Sequence, residues 1–518
     1  MKHSTSKVEN GFLKGAASLS LAALLVKVLG VAYKIPLYHI LGDDGMGYFN
    51  TAYTVYIFFF LICTAGVPKA ITLLVSESVA KGSSLELDIL KTARRVFVII
   101  GLVLFLLFAV CALPISDFIG SKKSAYAMLA IAPSIPLISA SAVYRGYLNG
   151  RMRFGAVAVS QLIEAVMKLV LGLVFANIAM RVGATTALIA AAAIFGITVG
   201  SLLTLIHLIL VANSYKSEYI PRQNIESRCE LIQKILKISL PITVSSGVIS
   251  FVNVIDLTVV MRGLEKNGYT ESLATMIYGN YTTLAIPMFN FVLSVISSVC
   301  ISLLPILSEL AAKKKEEKFD ETLADASGIV AFFALPATVA FALFPNEILI
   351  ILFDQGSVAL GCAMLSLLAP SVALIALLTV INTSLEAKGG YTVPLMCMSV
   401  GGVVKLLASS VFVGKTDLAI WGAPLGTAIS YAASIFVSIL LYRKNGRRIF
   451  GLLRGFLLSA FCATIASLPV IFMKESILAS DGSPIRSLTL LAIYAFLYFL
   501  LSFLCGTISI KRLKNMAK

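Results

Sequence analysis

Residues 132–175, APSIPLISASAVYRGYLNGRMRFGAVAVSQLIEAVMKLVLGLVF, lie over residues 369–412, APSVALIALLTVINTSLEAKGGYTVPLMCMSVGGVVKLLASSVF, when the chain is shifted by 237 positions against itself. Twelve of the 44 positions are identical without a gap, including Pro133/Pro370, Leu148/Leu385, Lys168/Lys405 and Phe175/Phe412. Shared apolarity alone does not give that many matches in one register, so the stretch marks an internal repeat. Apolar runs of about 20 residues, each long enough to cross a bilayer as a helix, recur on both sides of it. Fourteen spans are expected, at 12–39, 48–78, 92–114, 124–148, 155–179, 184–212, 235–262, 271–310, 324–345, 358–385, 391–413, 418–442, 451–473 and 486–508. The register relates span 4 to span 10 and span 5 to span 11, so the repeat unit is six spans and both copies share one orientation.

The expected fold is therefore an all-α integral membrane protein with two pseudo-symmetric six-helix lobes plus two extra C-terminal helices. Residues 1–212 form the N-lobe, the polar stretch 213–234 a cytoplasmic linker, and 235–442 the C-lobe. Residues 443–518 hold spans 13 and 14 and a cytoplasmic tail. Two such lobes around a central cleft are typical of secondary transporters, whose substrate sites lie near mid-membrane.

The composition agrees: 58% of the 518 residues are hydrophobic and 13% charged. The first run is a full-length span without a small-residue cleavage site, so it is read as retained rather than as a signal peptide. With both termini cytoplasmic, and with residues at span ends counted with the adjoining loops, inner segments hold 29 Lys and Arg, outer loops 8, and the span interiors 5. That bias fixes the orientation and explains the net charge of +16 without a nucleic-acid partner. The run KKKEEK, 313–318, reads as a solvated inner loop that touches anionic membrane lipid. The cysteines show no CxxC spacing and the three histidines are scattered, so neither a metal nor another cofactor is expected. GKT near Gly414 lacks the earlier glycine of a phosphate-binding loop, which leaves no nucleotide site.

Charges inside spans cost about 2.5–3.5 kcal/mol at a helix centre and mark candidate sites. Lys27 falls near the midplane and lines a cavity or joins an ion pair. Lys34, on the same helical face, reaches substrate or snorkels to the outer interface. Lys168 and Lys405 sit at matching depth in the two lobes. Glu164 precedes Lys168 by four residues, the order that suits an intrahelical pair, whereas Lys405 has Gly401 there. Lys69 follows Pro68, where a kink turns a side chain toward a cleft, or it snorkels to the inner interface. Asp256 and Glu164 serve ion coupling or charge balance, and Arg145 and Arg151 stand at the cytoplasmic entrance or are ordinary positive-inside residues. The excess of base over acid suits an anionic substrate.

The segments RGYLNG (145–150) and SQLIEAVMK (160–168), with GVPKAITLLVSE (66–77), NVID (253–256) and LLPILSE (303–309), carry a family likeness. They resemble the polysaccharide-biosynthesis proteins related to stage V sporulation protein B, within the multidrug/oligosaccharidyl-lipid/polysaccharide (MOP) exporter superfamily that includes the bacterial lipid II flippases. The resemblance implies a MATE- and lipid-flippase-like fold in the bacterial cytoplasmic membrane. It also implies alternating-access movement of an undecaprenyl-pyrophosphate-linked saccharide, such as lipid II or a related polysaccharide precursor. VKVLG places Lys27 where lipid II flippases carry an essential first-span arginine, while Tyr33 and Lys34 depart from that pattern. Spans 13 and 14 are, by resemblance, a groove for the polyprenyl tail. The partners are then the polyprenyl-pyrophosphate-linked saccharide and membrane lipids, and the residues leave open a coupling ion, the oligomeric state, and a vegetative or sporulation role.

Two other readings stand beside this one. A cation-coupled multidrug antiporter of the same superfamily would present an acidic cleft. A membrane glycosyltransferase would use Asp43 and Asp44 of GDDGMG, although adjacent acids flanked by glycine more often form a tight turn, and the short outer loops leave no room for a catalytic domain. No enzyme is expected.

Overall fold

The computed structural model describes residues 2–81, 85–214, 228–353, 358–390, 393–415, 418, 421–444, 450–478 and 483–507. Nearly all of them are helical. In chain order the helices are α1 (Lys2–Thr64), α2 (Val67–Ala80), α3 (Leu85–Ile119), α4 (Ser124–Ile131), α5 (Ser134–Gly150), α6 (Phe154–Arg181), α7 (Thr186–Ser214), α8 (Arg228–Lys266) and α9 (Glu271–Asn280). A π turn, Tyr281–Ala285, leads into α10 (Ile286–Ala312), then α11 (Glu316–Leu343), α12 (Pro345–Leu352), α13 (Val358–Ala387), α14 (Val393–Lys415), α15 (Gly422–Lys444), α16 (Phe450–Leu478) and α17 (Pro484–Leu504).

Among the described residues, twelve helical segments are long and apolar enough to cross a membrane. The first, Leu21–Ala80, is 60 residues long, enough for two passes. Helix α8, with 39 residues, also has the length of a span. Each of the fourteen expected spans thus has most of its described residues on helix.

Differences lie in the joints. A loop was expected between spans 1 and 2, yet α1 runs through with a single break at Gly42, where φ is +62° and ψ −171°. A residue without a Cβ adopts that conformation without penalty, so one position turns the chain. GDDGMG is therefore a helix joint: the Tyr38 hydroxyl donates to Asp43 Oδ1 at 2.6 Å and Ser272 Oγ to Asp44 Oδ1 at 3.3 Å. The fourth expected span is likewise split into α4 and α5 at Ala132–Pro133. Much of the expected linker, residues 215–227, lies outside the described residues.

The residues pack into two compact units, Met1–Met261 with Thr270–Gly279, and Arg262–Tyr269 with Asn280–Lys518. In the first, Val67, Ile71 and Val75 of α2 meet Phe97 of α3, Val143 and Tyr147 of α5, Leu208 of α7 and Leu231 of α8 in one buried cluster. Small residues bring the helices close. A Cβ on Gly146 would stand 2.8 Å from Pro68 O, and one on Gly150 2.7 Å from Val75 Cβ, so RGYLNG carries the α2–α5 contact. Helices α6 and α7 touch backbone to backbone, because a Cβ on Gly196 would collide with Gly172. Such approaches replace the hydrophobic drive that lipid does not supply.

In the second unit, α16 and α17 dock on α11. Phe332 and Phe344 pack with Ala463, Ala466 and Val470 of α16 and Leu490, Tyr494 and Tyr498 of α17. Pro336 lies inside α11 and has no N–H for the carbonyl of Phe332 four residues earlier. The Tyr498 hydroxyl donates to that carbonyl at 2.9 Å, and Tyr494 donates to Pro336 O at 3.1 Å. An orphaned carbonyl has no water to turn to in hydrocarbon, so Tyr498→Phe is expected to cost about 1 kcal/mol. Tyr494→Phe should cost less, since the carbonyl it meets also faces a helical N–H. Paired thermal melts of the two variants in detergent check this order, and equal melting temperatures would disprove it.

Candidate functional site

The repeat register connects several charged positions. Arg151 and Lys388 are 237 residues apart, and each pairs with a glutamate in the first turn of an earlier helix of its own unit. Arg151 Nε lies 3.3 Å from the buried Glu86 of α3. Lys388 Nζ lies 2.8 Å from Glu316 of α11. Each cation also faces an aromatic ring, Tyr147 at 5.8 Å for Arg151 and Phe319 at 5.3 Å for Lys388. The twin braces tie one helix end to another in each unit. Arg151, a candidate for the entrance, is held in the first of them.

Arg145 is also tied down. It projects from α5 to α6, where its Nε donates to Ser160 Oγ at 3.1 Å and its Nη2 to Glu164 Oε2 at 2.6 Å. The two side chains are 14% and 25% exposed. The partner of Glu164 is thus Arg145 from the neighbouring helix, and the Lys168 one turn along α6 is left to other groups. The tertiary bond wins because guanidinium offers the planar fork that a carboxylate accepts best.

The second unit lacks this pair at both ends. The register sets Asn382 opposite Arg145 and Gly401 opposite Glu164. Asn382 Oδ1 accepts from Ser438 Oγ at 2.9 Å, and Gly401 O accepts from Ser430 Oγ at 2.8 Å. A neutral network thus stands where the first unit has an ion pair.

Lys168 sits midway along α6, half-buried among aromatic groups. Its Nζ is 4.5 Å from the centre of the Tyr53 ring, 5.7 Å from that of Tyr33, and donates to the Tyr53 hydroxyl at 3.4 Å. The Tyr33 hydroxyl in turn donates to Ala193 O at 3.4 Å. Tyr53 stacks on buried Phe49 with ring centres 6.1 Å apart and planes 18° from parallel. Half-buried Lys34 is close enough to Lys168 for the two ammonium groups to repel. Among the described residues no carboxylate pairs with Lys168.

The other expected residues are placed as follows. Lys27 is exposed on α1 and Lys69 is exposed at the start of α2. Asp256 is 7% exposed within α8. Lys405 is half-buried at mid α14 in the second unit, within electrostatic reach of Tyr431, which stacks on Phe289 with centres 5.8 Å apart. Both repeat-related lysines therefore stand beside a tyrosine stacked on a phenylalanine. Tyr33 and Tyr53 escape a reading of the sequence, since tyrosine in an apolar run is as common at an interface as in a site. The spacing of Phe49, Tyr53, Tyr56 and Phe60 along one helical face is the signal available for them.

The model of the polysaccharide biosynthesis protein family matches residues 12–311, more than half of the chain. The chain belongs to that family. A MatE family model also matches residues 280–411. This polysaccharide biosynthesis family member is 25% identical over 421 residues to stage V sporulation protein B of Bacillus subtilis (strain 168), covering 80% of each chain. It is 20% identical to the lipid II flippase MurJ of the same organism, covering 84% of this chain and 82% of that one. Among solved structures, lipid II flippase MurJ in an inward closed conformation matches with a TM-score of 0.71 at 17% identity, over 93% of this chain and 97% of the other. An inward-facing multidrug resistance MATE family transporter of the MOP superfamily matches with a TM-score of 0.68 at 14% identity, over 83% and 96%. At these identities the structures establish the fold alone, an all-helical fold that the chain shares with both.

Proposed function

We propose that the protein is a flippase that moves a polyprenyl-diphosphate-linked saccharide across the cytoplasmic membrane. The reading extends to this chain what the lipid II flippase among its relatives is named for. The observation that carries it is the charge state around Lys168. Its carboxylate neighbour Glu164 is committed to Arg145, and the residue within electrostatic reach on α1 is another base, Lys34. Stacking over two tyrosines offsets about 0.5–2 kcal/mol per ring of the cost of that charge. The rest calls for an anion that comes and goes, and a diphosphate supplies one.

In this mechanism Lys168, Lys34 and Lys27 of the first unit bind the diphosphate as point charges, with Lys69 a weaker contact, and Lys405 is the corresponding basic residue of the second unit. A compact ammonium grips phosphate less rigidly than a guanidinium fork, which favours release. Arg145 and Arg151 shape the first unit through Glu164 and Glu86, and Asp256 balances charge within α8. By the positive-inside bias of the sequence, the saccharide lipid is loaded from the cytoplasmic side.

The test is leaflet accessibility of a polyprenyl-diphosphate-linked saccharide in proteoliposomes containing intact protein, Lys168→Ala, Lys405→Ala or Lys27→Ala at equal reconstitution. Intact protein should expose the lipid to an outer-leaflet probe, and Lys168→Ala should slow exposure at least ten-fold. Normal rates in all three variants would remove the lysines from the site. A saccharide altered in structure, instead of relocated, would favour an enzyme.

A further inference from the structure

Lys168 and Tyr53 hold more hydrogen-bond donors than the described residues around them accept, and what those donors bind rests on the flippase reading above. An ammonium has three donors and no acceptor capacity. Among the described residues the single acceptor near Lys168 Nζ is Tyr53 Oη, at 3.4 Å. Because that oxygen accepts from the ammonium, the Tyr53 O–H proton points away from it, and no described residue accepts that proton. Tyr33 is not in the same state, since its hydroxyl is used by Ala193 O. Two N–H donors and one O–H donor therefore converge at one place with no acceptor among the described residues, beside a second basic residue, Lys34.

The donors are also held in position. Phe49, 2% exposed, lies under the half-buried ring of Tyr53, and Tyr56 packs against its edge with centres 5.9 Å apart. A fixed ring fixes the position of its hydroxyl oxygen, and the positive charge beside that oxygen makes the O–H a stronger donor. An acceptor-only, multiply charged group fits such a place, and a tetrahedral phosphoryl group offers several oxygens at the required spacing.

The geometry points to Tyr53 as a phosphate ligand: its hydroxyl and the Lys168 ammonium together grip one phosphoryl group of the lipid diphosphate in the first unit. Tyr53 then selects for the charged end of the lipid, while the lipid tail and the saccharide are read elsewhere. An acidic sugar would present a similar oxyanion through its carboxylate, and the experiment separates the two sources.

The measurement is the concentration of undecaprenyl diphosphate giving half-maximal thermal stabilisation of the full-length protein in detergent, with undecaprenol as the uncharged control. Tyr53→Phe keeps the ring, its stacking and its contact with Lys168, and removes the hydroxyl alone. The expected result is a half-saturation concentration raised about ten-fold, the size of one hydrogen bond to a charged group. Melting without ligand and the response to undecaprenol should be unchanged, which a merely structural tyrosine would not leave so. In a Lys168→Gln background the same change should have a much smaller effect, because both groups serve one phosphate. Equal half-saturation for intact protein and Tyr53→Phe overturns the assignment and leaves the flippase reading standing. Competition by glucuronate but not by inorganic diphosphate also overturns it, in favour of an acidic sugar. If intact protein shows no response to undecaprenyl diphosphate beyond that to undecaprenol, the diphosphate reading itself fails.

Discussion

Gly196→Leu is expected to abolish recovery of folded protein from membranes. Residues Gly172 and Gly196 are both buried, and a Cβ at 196 would strike the backbone N and Cα of Gly172, atoms that no rotamer change can move aside. Overpacked cores commonly lose about 1–3 kcal/mol when side chains give way. Here α6 and α7 must separate along their length, taking with them the Tyr33 ring, whose hydroxyl lies against Gly172. The second unit provides a control. A Cβ on Gly426 would come 2.7 Å from Ser409 Oγ, a side chain that can rotate away. Gly426→Ala should therefore yield monodisperse protein with a modest fall in melting temperature. Fluorescence-detected size exclusion compares the two, and a normal peak for Gly196→Leu would show that α6 and α7 are not held at this contact.

Arg145→Ala should be the most damaging change among the charged residues. It strands Glu164 in a largely enclosed place, and breaking a buried pair from one side costs about 3–5 kcal/mol. The neutral design of the second unit suggests the rescue. Arg145→Asn combined with Glu164→Ala removes both charges together, and should regain more than half of the stability lost in Arg145→Ala. Thermal melts of the single and double variants measure this directly. A double variant as unstable as the single would mean that Arg145 matters for its packing and not for the charge it neutralises.

The sequence displays its span pattern openly because hydrocarbon forces every crossing to be helical and apolar. The 237-residue register further brings Lys168 and Lys405 to equivalent places, and with them Arg151 and Lys388. Partners are another matter. The spacing of Glu164 and Lys168 favours a bond along one helix, yet Arg145, nineteen residues away, takes the carboxylate. Local spacing reports only what a helix can do alone, and here a neighbouring helix offered a better donor. Tyr53 stays hidden for a similar reason, since its value comes from Phe49 beneath it and Lys168 above. The joint at Gly42 was visible as a turn, but not that helix would continue to either side with no loop.

The neutral counterpart of Arg145–Glu164 has a historical consequence. If the two halves descend from one duplicated ancestor, one of them has exchanged both members of the pair, Arg145 for Asn382 and Glu164 for Gly401 or the reverse. Either exchange made singly would leave a stranded charge, so an intermediate sequence passes through a form that folds poorly. Once that valley had been crossed, drifting back became as hard as the crossing had been. The halves are thereby fixed as unlike specialists, one rich in enclosed charge and the other neutral at the matching place, and a chain assembled from two copies of either half would not recreate the protein.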